Sequence, residues 1–406
     1  MTLHAIPFNQ TQTRSVGQDS SSRSGKRAAR EILLLCATAN ISPANKMRIS
    51  QLLSKTVDWG HLLELAQFHG MLPLVTYNLT TNGLISQVPK SYSERLNQAY
   101  SGSLYRNLIL STELEKVLAN FSKKEIAVIV LKGTILAEQL YGNPGLRTVA
   151  DMDILVRLEE IASADSLLLE MGYAKIINEP SYVHPFHDVY QKWAIMPYFI
   201  ELHWNLDDRE LVTVPLPDIW RRAQIIEIQG GTTMILSPED ILLHLSNNLS
   251  KPSGRLLRNL CDITELLKKH GEALDWDYFM KSVHSWGIEA GVYYSLKRSM
   301  ELLRAPVPAS VITALKPSLW RRWALSLLVN REAFLVPIKW DQLRVETSTF
   351  VRSLTVRGTR QMLAVLSKYR GHRKRAGWLR TAFWAILVFG TALGHNLVKA
   401  VSRWQR

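Results

Sequence analysis

The sequence predicts an α+β protein, with a mixed α/β core set between N-terminal and C-terminal helical regions, and three observations predict it. Across residues 28–84 apolar side chains recur at helical spacing (Ile32, Leu35, Cys36; Trp59, Leu62, Leu63, Leu65, Ala66), and the same rhythm runs through Leu110, Leu114, Val117 and Phe121. At Glu125 the texture changes to a β-branched apolar run, residues 126–131, which reads as a buried strand turning at Gly133 into a helix over 135–141. Finally, Ser237-Pro238-Glu239-Asp240 is a helix start: a capping hydroxyl, proline in the first turn and acids that complement the helix dipole, with helices continuing to about Arg304.

Between the first strand and that helix start, the polar loop 142–148 leads to a second strand over 151–156. A helix over 158–171 stops at Gly172, and strands over 173–177 and 198–204 flank a loop containing Tyr182 to His187. The expected organisation is a polar, Ser-rich disordered tail over 1–30, an N-terminal helical region over 31–122, the α/β core over 123–230, a helical region completing a cleft over 231–305, and a basic C-terminal region over 306–406. No internal repeat is present.

Net charge is +14, but it is unevenly placed. Residues 347–406 hold 12 Lys and Arg and no acid, and residues 1–30 hold 5 basic residues against Asp19, so residues 31–346 carry −2. The body therefore offers no basic excess from which to infer a polyanion-binding face, and nucleic acid is the less favoured partner. Cys36 and Cys261 are too far apart in sequence to form a motif, and the first thirty residues lack the apolar run of a secretory signal. These features lead us to expect a reducing, cytoplasmic setting.

The chemistry concentrates in three acids. Asp151 and Asp153 are two apart in the second strand, so both carboxylates leave the same face while Met152 and Ile154 point into the protein. Two like charges so close repel unless a cation lies between them, and hard oxygen ligands suit Mg²⁺, or Mn²⁺ in its place. Glu201, an acid in the apolar β-type run Tyr198-Phe199-Ile200-Glu201-Leu202, is the expected third ligand. The turn Leu131-Lys132-Gly133-Thr134 supplies the complementary half: helix N-terminal amides for phosphate, a hydroxyl from Thr134, and charge from Lys132 or Arg147. Lys132 has an equally weighted alternative, a structural ion bridge to one of the acids.

Together with Leu140-Tyr141, Arg147 and Glu201-Leu202-His203-Trp204, these motifs resemble the bacterial uncharacterised nucleotidyltransferase family of the polymerase-beta-like superfamily. Asp58-Trp59, Ala66 and His69 upstream, and Ser237-Pro238-Glu239-Asp240, His244, Arg258, Asp262 and Asp275-Trp276 downstream, extend the resemblance over roughly residues 30–300. It implies a mixed-sheet nucleotidyltransferase core, with catalytic and metal-binding Asp151, Asp153 and Glu201 and nucleotide-binding Lys132, Gly133, Thr134, Arg147 and His203. It also implies transfer of a nucleoside monophosphate from a nucleoside triphosphate to a hydroxyl acceptor, small molecule or protein, by two-metal chemistry. Thr134 stands where Ser or Gly is usual, and the stretch from Gly133 to Asp151 is long for the superfamily.

Other readings stand beside this one. A catalytically silent nucleotide-sensing or partner-binding module is the alternative function. His184, His187 and His203 invite a zinc site, but there is no nearby cysteine and Pro185 disrupts helical facing, so hydrogen-bonded structural histidines are preferred. His244, Arg258 and Asp262 read as helix–helix polar contacts ahead of a nucleotide pocket. The apolar helix expected over 381–398 is too short to span a bilayer; a core-packed helix is preferred to a peripheral membrane anchor built from residues 371–406 with their flanking basic residues and Trp378, Trp384 and Trp404.

Overall fold

The computed structural model describes residues 19–176, 185–228, 231–248, 256–328, 335, 351–358, 361–362 and 365. The expected membrane-facing or core helix over 381–398, the first half of the loop from Tyr182 to His187 (His184 included), and residues 1–18 lie outside the described residues.

Five helices open the chain: α1 (Asp19–Leu35), α2 (Pro43–Leu53), α3 (Trp59–Phe68), α4 (Leu72–Thr81) and the long α5 (Lys90–Lys123). The expected disordered tail is corrected in its second half, which is the start of α1. Its helical stripe extends back from Ile32 and Leu33 through buried Ala28 and Ala29, and Gly25 accepts a hydrogen bond from the Asp58 amide at 3.2 Å. A β-carbon on Gly25 would meet that amide nitrogen at 3.1 Å, so the small residue permits the approach of α1 to the start of α3.

A seven-stranded mixed sheet follows. Its strands are β1 (Ile129–Val130), β2 (Met152–Leu155), β3 (Ala174–Lys175), β4 (His187–Trp193), β5 (Pro197–His203), β6 (Gln224–Ile228) and β7 (Gly231–Ile235), in spatial order β3-β4-β5-β2-β1-β7-β6. Interleaved with them are α6 (Thr134–Tyr141), α7 (Ile161–Glu170) and α8 (Leu216–Arg222). The β2–β5 and β1–β7 pairs are parallel and the others antiparallel, as expected for a mixed sheet. Two strands differ from the sequence expectation. β1 is shorter than the apolar run that announces it, and His187 belongs to a strand, not a loop. The β6–β7 hairpin also carries the sheet past residue 230.

One face of the sheet packs on α5 and α7: Met152, Ile154, Ile200 and Leu202 join Leu110, Leu114, Val117, Phe121, Leu167 and Leu168 in one apolar cluster. Strand alternation therefore sends Asp153, Glu201 and His203 to the other face. Beyond the sheet, α9 (Pro238–Asn247), α10 (Leu257–His270), α11 (Trp276–Trp286), α12 (Glu289–Leu303), α13 (Ala309–Ala314) and α14 (Leu319–Leu328) form the second helical region. Ser237 caps α9 as expected, its hydroxyl accepting from the Asp240 amide. Residues 351–358 return onto this region, where Arg352 pairs with buried Asp207 and reaches Asn247. One charge of the basic C-terminal region is thus internal to the fold.

Candidate active site

β5 lies between β2 and β4, and register alone assembles the site. Asp153 pairs with Glu201 across the parallel β2–β5 ladder, and His187 pairs with His203 across the antiparallel β4–β5 ladder. Glu201 and His203 are two apart on β5, so all four side chains share one face. Asp151 precedes β2 by one residue, and one carboxylate oxygen each from Asp151, Asp153 and Glu201 lies within 4.8 Å of the others. The expected triad is brought together.

The backbone around it is fixed by distant side chains. Leu131 N–H donates to the Asp153 carbonyl at 3.0 Å, continuing the β1–β2 pairing towards the Lys132-Gly133 turn. Residues 147–150, the approach to the acids, are held from two helical regions: Asn107 of α5 donates to the Arg147 carbonyl at 2.7 Å, Arg106 to Val149 and Ala150, and Arg258 of α10 to the Thr148 carbonyl at 2.8 Å. Gly133 has φ +85° and ψ −135°, a conformation open to glycine, and a β-carbon there would stand 3.4 Å from the Asp151 carbonyl oxygen. This allows the start of α6 to sit directly against the acids.

Asp153 is fully buried. Its Oδ1 is 2.9 Å from Lys132 Nζ and 3.3 Å from His203 Nε2, while its Oδ2 has no hydrogen-bond partner. His203 Nε2 is also 3.2 Å from Glu201 Oε2. Burial alone would raise the Glu201 carboxyl, but the His203 hydrogen bond and the charge of Lys132 outweigh it and hold it down to about 2. Asp151 moves the other way: burial and the neighbouring Asp153 charge raise it, against the opposing pull of Lys132 and Arg258. Burial works against charge on His203 and Lys132 too, yet the surrounding carboxylates raise both. The charge of Lys132 and the His203 hydrogen bonds thus partly offset the repulsion among three acids.

The remaining expected residues divide. Thr134 is at the first turn of α6, buried, with its hydroxyl unpartnered. Lys132 makes the ion pair that was its alternative reading, and its side chain remains 27% exposed. Arg147, expected to bind nucleotide, has its guanidinium paired with Asp262 of α10, with Nε and one Nη each 3.0 Å from Oδ2, in a pair that also accepts the Tyr141 hydroxyl at 2.8 Å. A buried guanidinium requires such a fork of acceptors, which leaves Arg147 a structural tie from the loop to α10. Arg258 and Asp262 thus tie α10 mainly to the loop before β2, with Asp262 also reaching Tyr141 of α6, where the sequence favoured helix–helix contacts. His187, which the sequence offered only within a histidine trio read as structural, stands beside His203 through a strand pairing that no local motif announces. A cavity of about 300 Å³ between α5 and the β6–β7 hairpin, lined mainly by apolar groups such as Leu118, Val128 and Met234, includes none of these residues.

Comparisons with known proteins place the chain at the level of family. A solved structure, an antigenic nucleotidyltransferase-like protein from Paracoccidioides brasiliensis, matches with 14% identity and a TM-score of 0.32, over 50% of this chain and 96% of that one. No curated protein matches. The family model described as uncharacterised nucleotidyltransferase matches residues 55–304, a span that contains the acids, the Lys132-Gly133-Thr134 turn and the helices that brace them; the chain belongs to that family.

Proposed function

We propose that the chain is a metal-dependent nucleotidyltransferase that moves a nucleoside monophosphate from a nucleoside triphosphate to a hydroxyl acceptor. The observation that carries this reading is the convergence of Asp151, Asp153 and Glu201, with a fully buried Asp153 oxygen left without a partner. An orphaned carboxylate oxygen is costly in a protein interior, and a bound cation removes the cost. The donor set, three carboxylates, fits Mg²⁺ or Mn²⁺. The chemistry such a cation supplies when bound is screening of the triphosphate and activation of the attacking hydroxyl.

The chain's own residues do the rest. The Thr134 hydroxyl and the first amides of α6 bind phosphate oxygens, and Gly133 lets the phosphates approach the backbone. Lys132 adds positive charge beside them. His203 orients Glu201. The acceptor oxygen forms a bond to the α-phosphorus as the α–β phosphoanhydride bond breaks, and pyrophosphate leaves. Incubating purified protein with α-labelled nucleoside triphosphates, Mg²⁺ and a cell extract tests this: label transferred to a component of the extract supports it, and no transfer with any of the four nucleotides counts against it.

A second reading, a catalytically silent nucleotide-sensing or partner-binding module, is favoured by the contacts of Lys132 and His203 with Asp153. A site that has ceased to hold metal needs such internal partners for its carboxylates. No transfer, with no metal-dependent nucleotide binding either, would support it.

A further inference from the structure

We propose a second cation site beside the carboxylates, formed by His187 Nε2, Glu201 Oε2 and His203 Nε2 and suited to Zn²⁺ or a similar divalent transition ion. It deepens the reading above by sharing Glu201 with it, and it runs against the sequence preference for purely structural histidines.

The geometry comes from the sheet. His187 and His203 are direct cross-strand partners, and Glu201 lies two residues from His203 on the same face. The imidazole centroids are 4.6 Å apart with planes inclined by 32°. Glu201 Oε2 is 3.2 Å from His203 Nε2 and 4.0 Å from His187 Nε2, and the three ligand atoms lie within 4.8 Å of one another. Donors at about 2.0–2.1 Å around a tetrahedral Zn²⁺ stand about 3.4 Å apart, so contraction by an ångström or so completes the shell. Both histidines are buried, and Phe186 packs its ring against them, 4.7 Å from His187 and 6.0 Å from His203. The surroundings are therefore partly dry, which strengthens cation binding.

Donor chemistry separates this site from its neighbour. Three carboxylates favour Mg²⁺ or Mn²⁺, whereas two imidazoles and a carboxylate favour Zn²⁺ or Co²⁺. Three protein ligands leave a coordination position for water or a phosphate oxygen, the pattern of open zinc sites. With Glu201 common to both donor sets, the pair would form a mixed two-metal centre, one side hard and one side borderline.

Co²⁺, a spectroscopic stand-in for Zn²⁺, tests the site without any need for turnover. The full chain, stripped of metal by chelation, is titrated with Co²⁺ and followed in the visible range, beside the His187→Gln, His187→Cys and Asp151→Asn variants. We expect saturable ligand-field bands in the unmodified protein, an affinity at least about 10-fold lower in His187→Gln, and bands retained in Asp151→Asn. In His187→Cys a thiolate-to-cobalt charge-transfer band should appear in the near ultraviolet, a readout that holds even if His187→Gln fails to fold. Unchanged Co²⁺ affinity in His187→Gln with no charge-transfer band in His187→Cys would overturn the proposal, as would bands lost in Asp151→Asn but kept in His187→Gln. Because no nucleotide is present, cobalt bands that follow His187 in a protein unable to transfer label uphold this site and count only against the transferase reading.

Discussion

Asp153 of β2 faces Glu201 of β5 directly across a parallel ladder, 48 residues apart in sequence. Strands this close set their side chains side by side, so two carboxylates that repel in isolation are held together by backbone pairing. The helices around the sheet enforce that placement, and most of the predictions below separate residues that brace the acids from residues that would touch substrate.

Thr134 carries a buried hydroxyl with no partner in the protein. Thr134→Val keeps its shape, so stability measured by denaturant should change by less than about 1 kcal/mol, because no internal hydrogen bond is lost. If the hydroxyl donates to phosphate, transfer should fall about 10- to 100-fold, the value of a hydrogen bond to a charged group. Unchanged transfer would remove Thr134 from the phosphate site.

Arg147 predicts the reverse. Its partner Asp262 is fully buried, so Arg147→Met leaves a carboxylate without its cation, and the protein should lose about 3–5 kcal/mol in a chemical denaturation experiment. Nucleotide affinity per folded molecule should change little. A stable Arg147→Met variant with weakened nucleotide binding would restore Arg147 to the role the sequence suggested.

Glu239 links α9 to its neighbours, accepting from the Asp275 amide at 3.0 Å and pairing with Arg222. Burial raises its carboxyl, but the Asp275 amide and the Arg222 charge prevail and lower it overall. A depressed folded-state value means stability that is present above the unfolded value of about 4.3 and lost as pH falls below it. Melting temperature should therefore drop on acidification through that window, and Glu239→Gln should flatten the drop while lowering stability at neutral pH. An unaltered acid slope in Glu239→Gln would show that the pair with Arg222 does not contribute.

The contrast between Arg147 and Asp153 shows what the sequence could and could not reveal. Asp151, Asp153 and Glu201 were legible because charged residues in apolar, strand-patterned runs are expensive unless functional, and period-two alternation tells which face they share. The helices before Glu125 and after Ser237 were legible through apolar spacing and capping residues. The ion pair of Arg147 was not legible because its partner Asp262 lies 115 positions away, and a basic residue near acids looks like a phosphate ligand. His187 was read only as one of three structural histidines because its register with His203 is set by the whole β4–β5 hairpin. The β6–β7 hairpin gave a weak signal since it forms the sheet edge, where Ile225 is exposed and the alternation buries little.

The central claim is that the three carboxylates hold a divalent cation against a triphosphate. Its most direct test is calorimetric binding of a non-hydrolysable nucleoside triphosphate with Mn²⁺, with chelator in its place, and with the Asp153→Asn variant. The account predicts saturable binding only when Mn²⁺ is present, weakened at least about 100-fold in Asp153→Asn, since a charge-assisted metal contact and its bridge to phosphate are both lost. Nucleotide binding of equal strength with chelator, or in Asp153→Asn, would contradict it.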